Sequence, residues 1–227
     1  MSSILLSLQV SAVRDIVPAG SSEWWDKAWR TGFHKQPWEG PCWLAYGGLR
    51  GDECADLRVH GGVDKAVCAY PGEHYAYWRA TLPVLDFPHG AFGENFTTHG
   101  LLESGVCIGD TFRIGEAIVQ ISQPRQPCWK LARRWRVKDL TAQVERTGLT
   151  GFYFRVLQHG RVARGDGFHL EDRPRPNWPL SLCNEIMHHR REDRSAALEL
   201  SQVPELAGAW KDALWSRASA EKEERRT

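Results

Sequence analysis

The residues best able to do chemistry fall in one short stretch, residues 123–135, QPRQPCWKLARRW. A single cysteine, Cys128, lies between Pro127 and Trp129, with Arg125 before it and Lys130 after it. The thiolate is the nucleophilic and metal-binding form of cysteine, and nearby cations favour it. Pro124 and Pro127 keep the preceding backbone out of a helix. A helix starting at Cys128 would turn its positive end toward the sulfur. This setting suits a metal ligand or a covalent nucleophile. A protease-like nucleophile needs a histidine partner and a third orienting group. His60 is one candidate, but nothing in the spacing ties it to Cys128.

The densest run of charged and flexible residues is GLRGDECADLRVHGGVDKAVCAYP, residues 48–71. It carries Arg50, Asp52, Asp56, Arg58, His60, Asp64 and Lys65, with Gly61 and Gly62 beside the histidine. Adjacent glycines let backbone N–H groups approach an anion closely, and Arg58 and Lys65 would add charge for a phosphate. The run has neither the GxxxxGK[ST] spacing of a nucleotide loop nor a GxGxxG fingerprint. By itself it equally describes a charged loop with turn glycines. His60, Asp64 and His74 could supply metal ligands, but no helical spacing pairs them. His188 and His189 are helix neighbours facing different ways and read as surface residues. In GAFGENFTTHGL, residues 90–101, Glu94 and Asn95 place a carboxylate and an amide at a strand entrance. They would orient a ligand or simply serve the turn.

The elements that must hold these residues read as a β-rich core followed by helices, a mainly β, α+β chain. Strands are expected over 4–13, 42–46, 66–70 and 94–98, with two more in 105–123 turning at 114–116. A proline-started helix spans 71–82. One helix is expected over 128–147, stopped by Gly148, and then a hairpin over 151–166 turning at His159–Gly160. There is no strand–helix alternation of a doubly wound sheet. Three prolines and several charges make 171–180 a linker. Beyond it come three helices, the last with Pro204 at its start and a frayed end. The division expected is 1–172, a linker at 173–180, and 181–227, a piece too small to fold without support.

The bulk composition excludes several classes. The 227 residues hold 29 Lys+Arg against 28 Asp+Glu, so no charge excess points to nucleic acid or a membrane surface. The start MSSILLSLQV lacks a basic region and a cleavage site, so no signal peptide is read and a cytoplasmic protein is expected. Cysteines stand at 42, 54, 68, 107, 128 and 183 without a CxxC pair, which argues against a zinc ribbon or thioredoxin-type site. Scattered cysteines are usually small buried hydrophobes. Trp24, Trp25, Trp29, Trp38 and Trp43 crowd one segment; they read as an aromatic wall or as core.

Three separated motifs in order are far more specific than any one. GLRGDECADLRVHGGVDKAVCAYPGEHYAYW, then GAFGENF, then GVCIGDTFRIGEAIVQISQPRQPCWKL resemble the MOSC domain, the C-terminal domain of molybdenum cofactor sulfurases. The closer resemblance is to the YiiM-type subgroup, associated with resistance to 6-N-hydroxylaminopurine, and it covers roughly residues 1–170. The resemblance implies a barrel-like core, followed in that subgroup by a three-helix piece. It implies a molybdenum cofactor, molybdopterin, with Cys128 as the ligand to molybdenum. It places Arg58, His60, Gly61, Gly62 and Lys65 in the HGG…K motif, and Glu94, Asn95, Pro124 and Arg125 in the other two. The activity implied is reduction of N-hydroxylated compounds, R–NHOH to R–NH2, with base-analogue detoxification. A soft thiolate fits a soft, redox-active metal. No flavin, haem or iron–sulfur motif is visible, so a separate reductase is the expected electron donor. A second copy of the chain, joined through the helical tail, is a further expected partner. The alternatives are a cofactor carrier or sulfur-transfer module, against which stands the lack of a desulfurase domain in this sequence, and a cofactor-binding protein without turnover.

Overall fold

A computed structural model describes residues 3–17, 20, 23–58, 60–83 and 85–219. The N-terminal third supplies β1 (Ser3–Val10), β2 (Arg14–Ile16), β3 (Trp29–Thr31), β4 (Gln36–Pro37), β5 (Cys42–Ala45), β6 (Gly48–Leu49) and β7 (Val67–Pro71). Then follow α1 (His74–Thr81), β8 (Phe96–His99), β9 (Thr111–Ile114), β10 (Ala117–Pro124), α2 (Trp129–Trp135) and α3 (Leu140–Thr147). The chain returns through β11 (Phe152–Gln158), β12 (Gly160–Val162) and β13 (Gly167–Asp172). It finishes in α4 (Leu180–Asn184), α5 (Arg194–Ser201) and α6 (Gly208–Ser219).

Seven strands close a barrel in the order β13-β9-β10-β11-β7-β8-β1, and β1 pairs back onto β13; β4 extends β1 at one end. All neighbours are antiparallel except β7 and β8, which run parallel. The parallel pair needs a crossover, and the stretch containing α1 provides it. The barrel interior is filled by Leu5, Val67, Phe96, Phe112, Ile121 and Phe154, all but wholly buried. The tail helices share this core: Cys183, Ile186, Leu200, Trp210 and Leu214 belong to the same cluster as Ile108 and Val119. A second cluster packs Tyr70, Tyr75, Trp78 and Phe92 against Leu131, Leu140 and Val144. It therefore ties α1, α2 and α3 to the barrel wall.

Several sequence expectations need correction. The single helix over 128–147 is two helices. Arg136 takes a left-handed conformation, φ 55°, and caps α2. That position usually belongs to glycine, so the break leaves no sequence signal. It swings α3 back until Thr141 Oγ1 donates to the Cys128 carbonyl at 3.1 Å. The expected hairpin over 151–166 is not one: β12 pairs antiparallel with β5, not with β11. Residues 167–172, unassigned or placed in the linker, form the strand that closes the barrel. Of β13 only Phe168 is buried, so the hydrophobic alternation that marks a strand is missing. The 105–123 reading holds as β9 and β10. Pro204 sits in the turn before α6, which starts at Gly208. The frayed end beyond 219 lies outside the described residues. Among the described residues no helix is long and apolar enough to cross a membrane.

The five N-terminal tryptophans do not form one wall. Trp24 and Trp25 meet edge to face, Trp29 meets Trp129, Trp38 packs on the barrel core, and Trp43 contacts His159.

Candidate active site

Cys128 caps the start of α2 in extended conformation, φ −124°. Its carbonyl accepts from Leu131 N at 3.1 Å as well as from Thr141. Both bonds fix the backbone that carries the sulfur. The side chain lines a cavity of about 460 Å³ together with His60, Lys65, Asn95 and Arg125. Gly61 and Gly62 border the same space, and both have positive φ, 76° and 82°. A Cβ on Gly62 would meet nothing within 4 Å, so its backbone faces open cavity. The residues that spacing and motif singled out are thus largely brought together.

Two are not. Arg58 is exposed and forks onto Asp56, with bonds of 2.9 Å to both carboxylate oxygens; it does not line the cavity. Glu94 is fully buried and also outside it. Its carboxylate accepts from Tyr75 Oη at 2.5 Å, Gly90 N at 2.6 Å, Thr97 Oγ1 at 2.9 Å and Phe92 N at 3.1 Å. Glu94 therefore braces the 88–95 loop. That loop makes a close approach at Gly93, φ 76°, where a Cβ would lie 2.4 Å from the Phe33 ring. Glu94→Ala is expected to strand these donors at roughly 1–3 kcal/mol each. At about 2–4 °C per kcal/mol for a chain of this size, melting should fall by ~10 °C or more. A circular-dichroism melt within a degree or two of wild type would contradict that role.

Asn95 does both jobs the sequence left open. It lines the cavity and stitches three segments together. Its Oδ1 accepts from Cys68 N at 3.1 Å, while Nδ2 donates to Asp52 at 2.8 Å and to the Gln9 carbonyl at 3.2 Å. Asp52 also takes the Ser11 N–H and the buried Lys35 ammonium. Sequence reasoning missed Lys35 as a cavity residue. Its partner is distant along the chain, and no spacing reports such a pair. Phe33 and Tyr153 also line the cavity and were not singled out, and no tryptophan does.

Arg125 is the most telling side chain. It is 4% exposed, yet its guanidinium makes no hydrogen bond or ion pair to a protein group among the described residues; only its backbone N–H is used, to Gly151 O at 3.0 Å. Buried charges are normally paired, so a guanidinium opening only onto a cavity is a site for an anion. The surrounding field agrees. Burial, with Lys130, Arg125 and Lys65 nearby, lowers the His60 pKa from 6.5 to about 4. His60 is thus a neutral acceptor or donor at pH 7. A folded value below the unfolded one means this contribution to stability is complete above pH 6.5 and is lost as pH falls toward 4. An NMR titration should find the ring neutral at pH 6, and inorganic phosphate in the cavity should raise the midpoint. A ring already protonated at pH 6 without phosphate would refute the placement.

Cys54 and Cys68 also line the cavity. Burial pushes Cys54 up and Cys68 to about 11, so both stay thiols at neutral pH. Cys42, Cys107 and Cys183 are buried, and all six are free. The metal reading of His60, Asp64 and His74 dissolves: Asp64 pairs with Arg155 and His74 with Glu103. Among the described residues no cluster of histidine, cysteine and carboxylate side chains could hold a metal by itself. His188 is half-buried, not a surface residue, and its pKa falls to about 4 through burial.

The MOSC domain family matches residues 56–169, half the chain, spanning the HGG, GEN and Cys128 segments. The chain belongs to the MOSC family. This MOSC protein is similar to the uncharacterised protein YflK of Bacillus subtilis (strain 168), 44% identical over 181 residues, 80% of this chain and 81% of that one. Its fold is similar to the crystal structure of YiiM from Geobacillus stearothermophilus, with a TM-score of 0.79 and 34% identity, covering 95% of this chain and 99% of that chain. It is also 34% identical over 174 residues to a protein of Gibberella moniliformis (strain M3125 / FGSC 7600) named "Reductase"; the match takes 75% of this MOSC chain but 31% of that longer one.

Proposed function

We propose that this MOSC protein is a molybdenum cofactor-dependent reductase of N-hydroxylated compounds, converting R–NHOH, two electrons and two protons to R–NH2 and water. MOSC domains are associated with the molybdenum cofactor, and the side chains present suit it. The observation that carries the reading is the unpaired, buried Arg125 opening onto the same cavity as Cys128.

Arg125, with Lys130 and the open backbone at Gly62, would hold the cofactor's phosphate. Cys128 would supply the sulfur ligand, a soft donor matched to molybdenum. When bound, the cofactor supplies two-electron exchange of oxygen, and the protein supplies position. Pro127, Thr141 and the α2 cap fix where the sulfur can be. Phe33, at the cavity wall, offers an aromatic surface to a planar substrate. The Lys35–Asp52–Asn95 network holds that wall by joining the 33–35 segment to the GEN loop.

Electrons would come from a separate reductase. The similarity to a much longer protein named "Reductase" is in keeping with this. Base analogues such as 6-N-hydroxylaminopurine are the proposed substrate class, and their detoxification the proposed role. The test is reduction of 6-N-hydroxylaminopurine by protein made in cofactor-producing cells and reduced with a viologen dye. Turnover to the amine supports the reductase. Bound metal without turnover on any N-hydroxylated purine or amidine would favour a carrier instead.

A further inference from the structure

Among the described residues lining the Cys128 cavity, Tyr153 is the only one with a side-chain hydroxyl. It stands near the start of β11, opposite Gln123 of β10 and Cys68 of β7. Side chains alternate across a strand. Phe152 and Phe154, on either side, are fully buried in the barrel core. Tyr153 therefore points outward, on the face it shares with Cys68, which lines the same cavity.

Its Oη makes no hydrogen bond to a protein group among the described residues, yet it is not sealed from solvent; it opens onto the cavity. The groups whose charges reach it are Cys68, Arg125, Cys128 and Cys54, and all four line that cavity. A phenol is protonated at neutral pH, and burial raises its pKa further. The other polar groups here differ from it. Lys35, Asp52 and Asn95 are bound to one another. Arg125 suits an anion, and the thiols of Cys54 and Cys68 are weak donors. A neutral hydroxyl that both donates and accepts suits a partner that does the same, as an N-hydroxyl group does.

We propose that Tyr153 Oη binds the hydroxyl oxygen of the N-hydroxylated substrate. The phenol would donate to that oxygen and stabilise the negative charge it gains as the N–O bond breaks and two electrons arrive from the separate reductase. The two protons that complete R–NH2 and water come from solvent, and Tyr153 ends as it began. This inference rests on the reductase reading and gives the departing oxygen its partner in this chain.

The test follows tyrosine labelled with 13C at Cζ by NMR, in the full chain without cofactor. The probe is 6-N-hydroxylaminopurine, and adenine, its reduced form, is the control. The Tyr153 signal, identified by its loss in Tyr153→Phe, should shift saturably with the probe, at severalfold lower concentration than with adenine. Tyr153→Phe keeps the ring and removes only the hydroxyl. Calorimetry should find its affinity for the probe roughly 3–10-fold weaker, with adenine binding unchanged. In cofactor-loaded protein reduced by a viologen dye, the same variant should keep its molybdenum and lose at least about tenfold in kcat. A Tyr153 signal blind to the probe, equal loss for probe and adenine, or an unchanged kcat with metal retained would overturn the assignment and leave the reductase reading standing. Discrimination through Tyr153 in a wild type that reduces no N-hydroxylated compound would instead sink the reductase reading and keep the oxygen contact.

Discussion

Arg125→Met should cost the cavity its anion while leaving the empty chain as stable as before, or more so. The two effects have separate causes. A guanidinium bonding an anion in a buried site contributes roughly 1.5–3 kcal/mol per charge-assisted bond, so losing even one weakens binding about 10–100-fold. Calorimetric titration with inorganic phosphate reads this directly. For the empty protein the sign reverses. Arg125 is 4% exposed with no protein acceptor for its side chain, and burying an uncompensated charge is unfavourable. Methionine keeps much of the length and volume without the charge. The melting temperature should therefore hold or rise. A marked fall in melting with phosphate binding intact would show that the guanidinium is structural, and the anion site would have to lie elsewhere.

Cys128→Ser should remove metal retention and reductase turnover together, with little change in melting. Serine keeps the size and replaces a soft donor with a hard one that stays protonated. Changing residues that merely support a ligand typically costs 10–100-fold in metal affinity or activity. The loss at the ligand should exceed that. The backbone at this position is held by its own carbonyl bonds to Leu131 and Thr141, which serine preserves, so a folding defect is not expected. Cys54→Ser, in the same cavity, is the internal control: its thiol is pushed toward the protonated form by burial, and its loss should leave metal content near wild type. If Cys54→Ser lost the metal and Cys128→Ser kept it, the ligand assignment would be reversed.

Much of this site could be read from residue order because its parts are local. His60, Gly61, Gly62 and Lys65 are close neighbours, and Pro127–Cys128 is a rigid unit, so spacing marks each segment, while only the family resemblance joined one to the other. What could not be read was set by partners, near or far along the chain, that spacing does not report. Arg58 looks like a phosphate ligand until Asp56, two residues away, is seen to occupy it. Glu94 looks like a ligand-orienting carboxylate, yet Tyr75 and the 90–92 amides consume it. Lys35 and Asp52 gain meaning only when β1 and β8 bring their loops together. The fold shows the same division. Alternation in residues 117–122 announces β10, whereas β13 closes the barrel with an exposed face and gives no such pattern. The break at Arg136 depends on a left-handed arginine that helix-stop rules do not anticipate.

The central claim is that the Cys128–Arg125 cavity holds a molybdenum cofactor. It is tested most directly by counting molybdenum per chain in protein purified from two strains, one able and one unable to make the cofactor. The account predicts close to stoichiometric metal from the first strain and essentially none from the second. Equal metal from both strains, or none from either, would contradict it.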